Sequence, residues 1–514
     1  MSVGRGSDWT GEVFEVRLGA PGHGGFCVAR YEGRVLFVRH GLPGELVRAR
    51  VTEDRGKSFC RADAVEILEA SPDRVPATCP VSGPGGAGCC DFSFAAPHAQ
   101  RHLKAAVVAE QLRRLAGWET EVEVEPILLG DSMFGASAPG AAGPGVADRG
   151  VADHGAADPG VADRGVADRG VADRGVADFG VADRGVADFG VADRGVADIG
   201  GRRLGAADGR FGAAPLEVGG WRTRVRLVVD AEGRAGVHRY RSTDVLADLR
   251  CPQPVAGAVD GIAERAWTPG AELVVAVDGD GLRHIVELAP SRHGGRGGGD
   301  RRSTAARRAA AHAARPERIV EGSGRAVQYV AGRRWEVSAT GFWQPHLGAA
   351  QCYSDVVAEW SATPAGATAW DLYCGTGVFA ARLAEQVGGT GVVHGVESAR
   401  SAVADGAAAL RDLPAVGLSA QRVERWLSDR TGSPAPQVVV LDPPRAGAGK
   451  DVIAALAAAD PARIVHIGCD PAAFARDIGL YRAAGYHVTR LRAFDAFPAT
   501  HHVECLALLE RTVS

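Results

Sequence analysis

From residue 347 to the C-terminus, short apolar runs alternate with Ala-rich stretches. Strands alternating with helices must pair in parallel through crossovers, so this region is restricted to a doubly wound, Rossmann-like α/β domain. Such a sheet receives ligands at the carboxyl ends of its strands. Four runs here end in residues that carry chemistry. Ala367-Thr368-Ala369-Trp370 leads into Asp371-Leu372-Tyr373-Cys374-Gly375-Thr376-Gly377. The run from Val392 ends on Glu397. Val438-Val439-Val440-Leu441 runs into Asp442-Pro443-Pro444-Arg445. Ile464-Val465-His466-Ile467-Gly468 runs into Cys469-Asp470-Pro471.

A glycine turn after a strand lets backbone amides approach a nucleotide-like ligand, and an acid ending the next strand can accept hydrogen bonds from ribose hydroxyls. Gly375-x-Gly377-x-x-Ala380 also fits the dinucleotide fingerprint, so a nicotinamide-dependent enzyme stays open at this point. The two prolines after Asp442 stiffen a loop at the carboxyl edge of the sheet. A lone cysteine at a strand end is ordinarily a small core residue. The place of Cys469, before Asp-Pro and one strand after Asp-Pro-Pro-Arg, favours a reactive thiol instead.

The rest of the chain divides by composition and pattern. Residues 8–70 read as short strands punctuated by Gly and Pro, which predicts a small β-barrel. Residues 71–133 form a cysteine-containing connector and a helix, and residues 215–346 a β-rich central domain. Between these last two, the pentapeptide Val-Ala-Asp-Arg-Gly and its variants recur eleven times from Val146 to Gly200. Period five matches neither helix nor strand. A pentapeptide solenoid would need a bulky apolar residue after each Asp, where this chain places mostly Arg (Arg149, Arg164, Arg169, Arg174, Arg184 and Arg194). Stacking would bury unpaired guanidinium groups at high cost. Residues 134–214 are therefore expected to be a disordered, low-complexity insert. The Arg/Gly-rich segment 291–316 reads equally as an RNA-contacting loop or a solvated linker.

The length of 514 residues exceeds what three folded units need, and the inserts account for the difference. They also hold much of the Gly and Pro (70 and 27 residues), whose share lies well above the about 12% of an ordinary chain. A net charge of −4 excludes a uniformly basic nucleic-acid coat, yet permits a local basic groove. The repeats carry eleven Asp against six Arg, so the remainder is less acidic than the total. Only three lysines occur (Lys57, Lys104 and Lys450), and no Asn, which reads as coding-sequence bias rather than selection for phosphate binding. The N-terminal residues lack an apolar core of signal-peptide length, and no run reaches ~18 apolar residues. Ten cysteines in such a chain predict reduced thiols, a cytoplasmic location and no membrane partner.

The motifs together resemble one family. Phe342-Trp343-Gln344-Pro345, Asp371-Leu372-Tyr373-Cys374-Gly375-Thr376-Gly377, Leu441-Asp442-Pro443-Pro444-Arg445-Ala446-Gly447, Gly468-Cys469-Asp470-Pro471 and Phe497-Pro498-Ala499-Thr500-His501-His502-Val503-Glu504 are similar to motifs of the S-adenosylmethionine-dependent RNA 5-methyluridine methyltransferases. The N-terminal RNA-binding barrel of that family is the TRAM domain. The resemblance covers nearly the whole chain outside the two low-complexity segments. It implies methyl transfer from S-adenosylmethionine to C5 of a uridine in tRNA or rRNA, by a monomer. It implies that Cys469 is the nucleophile, that Glu504 removes the C5 proton, and that Gln344, Tyr373, Glu397 and Asp442 hold the cofactor beside the Gly375–Gly377 turn. His501 and His502 read as local polar structure rather than a second base. The chain departs from the pattern at Val378, where the family often has Asn, and after the third strand, where Gln421 or Arg422 replaces an acid or amide. A non-catalytic RNA-binding protein remains the rival.

Many members of the family bind a [4Fe–4S] cluster through three closely spaced cysteines and a distant fourth in a Cys-Pro context. Cys79, Cys89, Cys90 and Cys251 (followed by Pro252) are the candidates for that set, but their spacing departs from the family's, with Ala87-Gly88-Cys89-Cys90 in place of the usual Cys-x-x-Cys pair. If Cys90 is the third ligand, Ala87 stands in the second ligand's place and Cys89 is its substitute. A structural remnant of such a site is the alternative. Cys27, Cys60, Cys352, Cys374 and Cys505 read as core or incidental.

Overall fold

Alternation of apolar and polar residues at period two builds the first sheet of the computed structural model. Residues 8–56, 58–129, 219–291, 315–430 and 435–511 are described. The pentapeptide insert and most of the Arg/Gly segment lie outside them. Strands β1 (Val13–Arg17), β2 (Pro21–Gly22), β3 (Phe26–Tyr31), β4 (Arg34–Arg39), β5 (Leu46–Asp54) and β6 (Phe59–Glu69) pair in the order β1-β5-β6-β4-β3-β2. The chain continuing from β1 also bonds β3, through Gly19 N–H to the Val28 carbonyl (2.8 Å) and Val28 N–H to the Ala20 carbonyl (3.0 Å), which closes the sheet on itself. Cys27, Ala29, Leu36, Val38, Val47, Ala49, Cys60 and Ala62 point inward and are buried.

Helix α1 (Pro97–Ala116) starts on a proline at its first turn and ends on Gly117 in the left-handed conformation, as helix-end chemistry favours. It is followed by β7 (Val124–Pro126). The central strands β8 (Arg224–Val229), β9 (Ala235–His238), β10 (Val245–Leu246), β11 (Glu272–Val277), β12 (Arg283–Leu288) and β13 (Glu317–Glu321) form a second sheet in the order β10-β9-β8-β11-β12-β13. The hairpin β14 (Arg325–Val330) and β15 (Arg333–Ser338) follows, and Ala326, Trp335 and Val337 from it enter the core of the C-terminal domain.

The C-terminal elements are α2 (Ala349–Ser361), β16 (Thr368–Leu372), α3 (Val378–Val387), β17 (Val392–Glu397), α4 (Arg400–Ala409), β18 (Val416–Ala420), α5 (Val423–Ser428), β19 (Val438–Leu441), α6 (Gly449–Ala459), β20 (Arg463–Gly468), α7 (Pro471–Ala483), β21 (Tyr486–Asp495) and β22 (Glu504–Arg511). The sheet order is β18-β17-β16-β19-β20-β22-β21-β7. The five strands β16 to β20 are parallel, whereas β22 runs antiparallel to β20 and to β21. Val438 to Leu441 are buried on every residue, as a central parallel strand between two helical layers requires.

One part of this sheet comes from before the insert. Strand β7 pairs in parallel with β21, with Val124 beside Ala493. Val108 and Leu112 of α1 join the same core as Phe474 and Ile478 of α7. The two helices approach so closely at Gly479 that a Cβ there would sit 2.9 Å from the Leu115 carbonyl oxygen, so glycine is required. Among the described residues no helix is long and apolar enough to cross a membrane.

Candidate active site

The parallel strands deliver most of the sequence-predicted residues to one edge. Tyr373 follows β16, Glu397 ends β17, Asp442 follows β19 and Cys469 follows β20, each at the carboxyl end. Strand β22 runs the opposite way, so its first residue, Glu504, starts at that same edge. The last pair of the β20–β22 ladder is Gly468 with Cys505. Cys469 follows directly after Gly468 and Glu504 directly precedes Cys505, so both come to this edge, close enough for the Glu504 charge to act on the Cys469 thiol.

The turn after β16 is held by unusual backbone angles. Tyr373 has φ +60°, a left-handed conformation uncommon for a non-glycine residue, and Gly375 and Gly377 follow at +53° and +79°. At Gly377 a Cβ would also lie 2.7 Å from Leu410 Cδ1. Buried Asp371 accepts the Ala380 N–H at 2.8 Å, which fixes the start of α3 against the strand. The Glu397 carboxylate is fixed from both sides. Gly375 N–H donates to Oε2 (3.2 Å), while the Ser398 hydroxyl (3.0 Å) and Ala399 N–H (2.8 Å) donate to Oε1. Gln344 reaches the site from the segment before α2 and donates from Nε2 to Asp442 Oδ2 at 3.5 Å.

Burial dominates the electrostatics. The carboxyl of Glu504 is held well above the usual range, first by burial and then by Asp442, with Arg445 opposing. Burial pushes Asp442 up to about 7. Two carboxyls sharing one site, Glu504 buried and Asp442 half-buried, disfavour simultaneous ionisation. Burial, then Glu504 and Asp442, also push the Cys469 thiol up, and Arg445 again opposes. The arrangement brings a thiol and a carboxyl within electrostatic reach of one another and of one guanidinium, each gaining reactivity on losing a proton.

Three long-range contacts around this edge escape the sequence. His23, on the turn between β2 and β3, bonds Asp470 at 2.9 Å (Nε2 to Oδ2). Asp470 adjoins Cys469 and caps α7, accepting the N–H groups of Ala472 (3.1 Å) and Ala473 (2.8 Å). The Asp470 hydrogen bond holds His23 above its ordinary range. Asp91 bonds both Arg39 of β4 and His501 of the loop before Glu504. Phe92 N–H donates to the Ala499 carbonyl of that loop at 2.9 Å. The capping role of Asp470 before Pro471 has a local sequence signal. His23 and Asp91 have none, because their partners lie 447 and 410 positions away.

The cysteine-bearing connector forms a second cluster. The thiols of Cys79, Cys90 and Cys251 lie within 4.8 Å of one another. Those of Cys251 and Cys90 donate to Cys79 and hold it well below the usual thiol range. Gln253 Nε2 donates to Cys90 Sγ at 3.2 Å. Arg222 is half-buried beside the group; burial lowers its pKa, and Cys89, Cys251 and Cys90 oppose that shift. Cys89 is exposed and stands outside the converging three, while Ala87 packs against them. The sulfur donors suit a thiophilic metal group in kind, with three of the four sequence-matched cysteines brought together.

Comparisons with known proteins bear on family and fold. The family model described as tRNA (uracil-5-)-methyltransferase matches residues 329–512, and that of the TRAM domain matches residues 9–65. A Streptomyces avermitilis protein described as an uncharacterized RNA methyltransferase is 38% identical over 97% of this chain and 98% of its own. A Corynebacterium diphtheriae protein of the same description is 34% identical over 98% of this chain and 97% of its own. Among solved structures, the Pyrococcus abyssi tRNA (uracil-54, C5)-methyltransferase in complex with S-adenosyl-L-homocysteine is 15% identical. It superposes with a TM-score of 0.57 over 96% of this chain and 100% of that one, a likeness of fold.

Proposed function

The chain belongs to the TRAM-containing RNA methyltransferases of the tRNA (uracil-5-)-methyltransferase family, and from that premise we propose that it methylates C5 of a uridine in tRNA or rRNA. The observation that carries the reading is that Cys469, directly after β20, and Glu504, the first residue of β22, come to the ligand edge of the sheet together. Family membership sets aside the nicotinamide reading of the glycine turn. Calorimetry with S-adenosylmethionine and NAD tests this directly, and binding of NAD alone would overturn it. The enzyme acts in the cytoplasm as a monomer.

Uracil C5 is a poor nucleophile. Cys469 adds as thiolate to C6, which turns the C4 carbonyl into an enolate and makes C5 carbanion-like. Arg445, the cation that offsets the charge of both Glu504 and Cys469, suits stabilisation of that enolate. S-adenosylmethionine, when bound, supplies a sulfonium methyl for C5. Glu504 then takes the remaining C5 proton, the C5=C6 bond re-forms and the Cys469–C6 bond breaks, returning the thiolate. Glu397 suits a ribose, being held rigid by three donors, and Gln344, Tyr373 and Asp442 complete the cofactor side with the Gly375–Gly377 turn. His501 is engaged by Asp91, and burial holds His502 well below its ordinary range, which supports structural roles for both. A uracil inside a helix is out of reach, so the target sits in a loop or is flipped out.

Mass spectrometry of nucleosides from fractionated RNA of a deletion strain tests the activity. Loss of 5-methyluridine from one RNA class is expected, and unchanged levels in every class would overturn it. The pH profile tests the electrostatics. Cys469 and Glu504 must each lose a proton to act, and both are held above their ordinary ranges. The value of kcat/KM for RNA should therefore rise with pH from 6 through 9 without a falling limb from these groups. A flat or falling profile would contradict the assigned protonation states.

We further propose that Cys79, Cys90 and Cys251, with Cys89 as fourth ligand, hold the [4Fe–4S] cluster that the family resemblance implies. Protein purified without oxygen should carry iron and sulfide and absorb broadly in the visible. Cys89→Ser should lower the iron content, and Cys79→Ser should abolish it. Equal iron in wild type and Cys79→Ser would overturn the assignment.

A further inference from the structure

The barrel has an aromatic outer face that its own core does not explain. On β3, β4 and β6 the residues Cys27, Ala29, Leu36, Val38, Cys60 and Ala62 point inward, so their alternates point out. The outward set includes Phe26, Phe37 and Phe59. Cross-strand register sets Val28 opposite Phe37, Phe37 opposite Arg61 and Val35 opposite Phe59. The rings of Phe26 and Phe37 are 6.1 Å apart, and those of Phe37 and Phe59 5.5 Å, at interplanar angles of 62° and 68°. The Arg61 guanidinium lies 5.3 Å from the Phe26 ring centre. Phe59, at the far end, is 38% exposed. A single exposed phenylalanine needs no account. A connected row of three on one small sheet, with a cation at its side, does.

We propose that Phe26, Phe37 and Phe59 form a stacking platform for unpaired bases of the RNA substrate next to the target uridine. This rests on the RNA methyltransferase reading above and adds to it the path of the substrate strand. Position supports it. Three residues before Phe26, His23 is bonded to Asp470, the neighbour of Cys469. A Cβ built at Gly25 would lie 3.3 Å from His501 Cβ, in the loop that leads to Glu504. The row therefore begins at the rim of the catalytic edge and runs outward from it across the barrel.

Charge supports it too. At the Phe59 end, one carboxylate, Glu53, is shared by Arg55 (2.7 Å), Arg61 (3.6 Å) and Arg241 (2.5 Å), which leaves cationic charge for a phosphate backbone. The ring angles fix the form of the occupant. Rings tilted by 62° and 68° cannot carry one continuous base stack, but each can take a splayed base on its own face, as unpaired RNA offers and a duplex does not.

The test is fluorescence anisotropy with the full-length protein, using a labelled single-stranded oligoribonucleotide and the same sequence as a duplex. Phe59→Leu, and the triple Phe26→Leu/Phe37→Leu/Phe59→Leu, keep the apolar volume but remove the π face. One lost stack should weaken single-strand binding by about tenfold, and the triple by more, with duplex binding unchanged. The slope of log Kd against log salt should be unchanged in Phe59→Leu and shallower by about one in Arg61→Gln. Where the triple variant does not fold, Phe59→Leu carries the test, since its ring is partly in solvent. Wild-type affinity for the single strand in Phe59→Leu, or an equal loss for strand and duplex, overturns the platform. Binding is read without methyl transfer, so the two readings separate. Wild-type protein that binds through Phe59 but transfers no methyl group would sink the enzyme reading alone. Methyl transfer with no Phe59 effect would sink the platform alone.

Discussion

Cys469→Ala is expected to abolish methylation, with a loss on the order of 10⁴-fold or more, because without addition to C6 the C5 carbon never becomes nucleophilic. Glu504→Gln should fail differently. Removing a general base costs about 10²- to 10⁴-fold in turnover, but the step it blocks comes after the Cys469–C6 bond has formed. The variant should therefore accumulate a Cys469–RNA adduct that survives denaturing electrophoresis and requires S-adenosylmethionine. The double variant should show none. Undiminished turnover in Glu504→Gln would refute its role as base. Loss of turnover without any adduct would place the carboxylate before addition rather than after it.

The candidate site was legible in the sequence because its residues are written locally. Each parallel strand is a short apolar run whose last residue or next few residues reach the candidate site, and the edge they share follows from topology alone. Cys469 and Glu504 could be named from motifs, but their meeting at one edge could not, since it depends on β22 entering the sheet backwards beside β20. The contribution of α1 and β7 to the catalytic sheet was equally hidden. A three-residue edge strand, Val124–Pro126, has too few positions to show a period, and the insert separates it from its partner strand. The cysteine motif was legible as a set of four. The convergence of only three depends on the turn that leaves Cys89 in solvent and turns Ala87 toward the sulfurs. His23 and Asp91 had no pattern at all. Each is a polar residue in a loop whose meaning comes from a partner in another domain.

Lys104→Met is expected to destabilise the full chain by about 3–5 kcal/mol in denaturant unfolding followed by tryptophan fluorescence. Lys104 sits on α1 with its side chain fully buried, and Nζ donates to Asp495 Oδ1 (2.5 Å) at the end of β21 and to the Phe497 carbonyl (3.1 Å). Burial lowers its pKa, and the Asp495 carboxylate opposes that shift. The cost of the substitution comes mostly from the partner. Methionine fits the apolar path of the lysine stem, but the Asp495 carboxylate, with a side chain only 5% exposed, is left buried without its cation. Lys104→Met/Asp495→Leu removes both charges and should recover most of the loss, because a buried pair replaced by apolar groups of similar volume is often close to neutral. Activity should not recover with it. Asp495 and Phe497 open the loop that ends at Glu504, and the lysine is what ties both to α1. A double variant that folds stably yet turns over slowly would show that this buried ion pair orders the base-bearing loop. A double variant as unstable as the single one would show that packing of α1, and not the unpaired carboxylate, sets the cost.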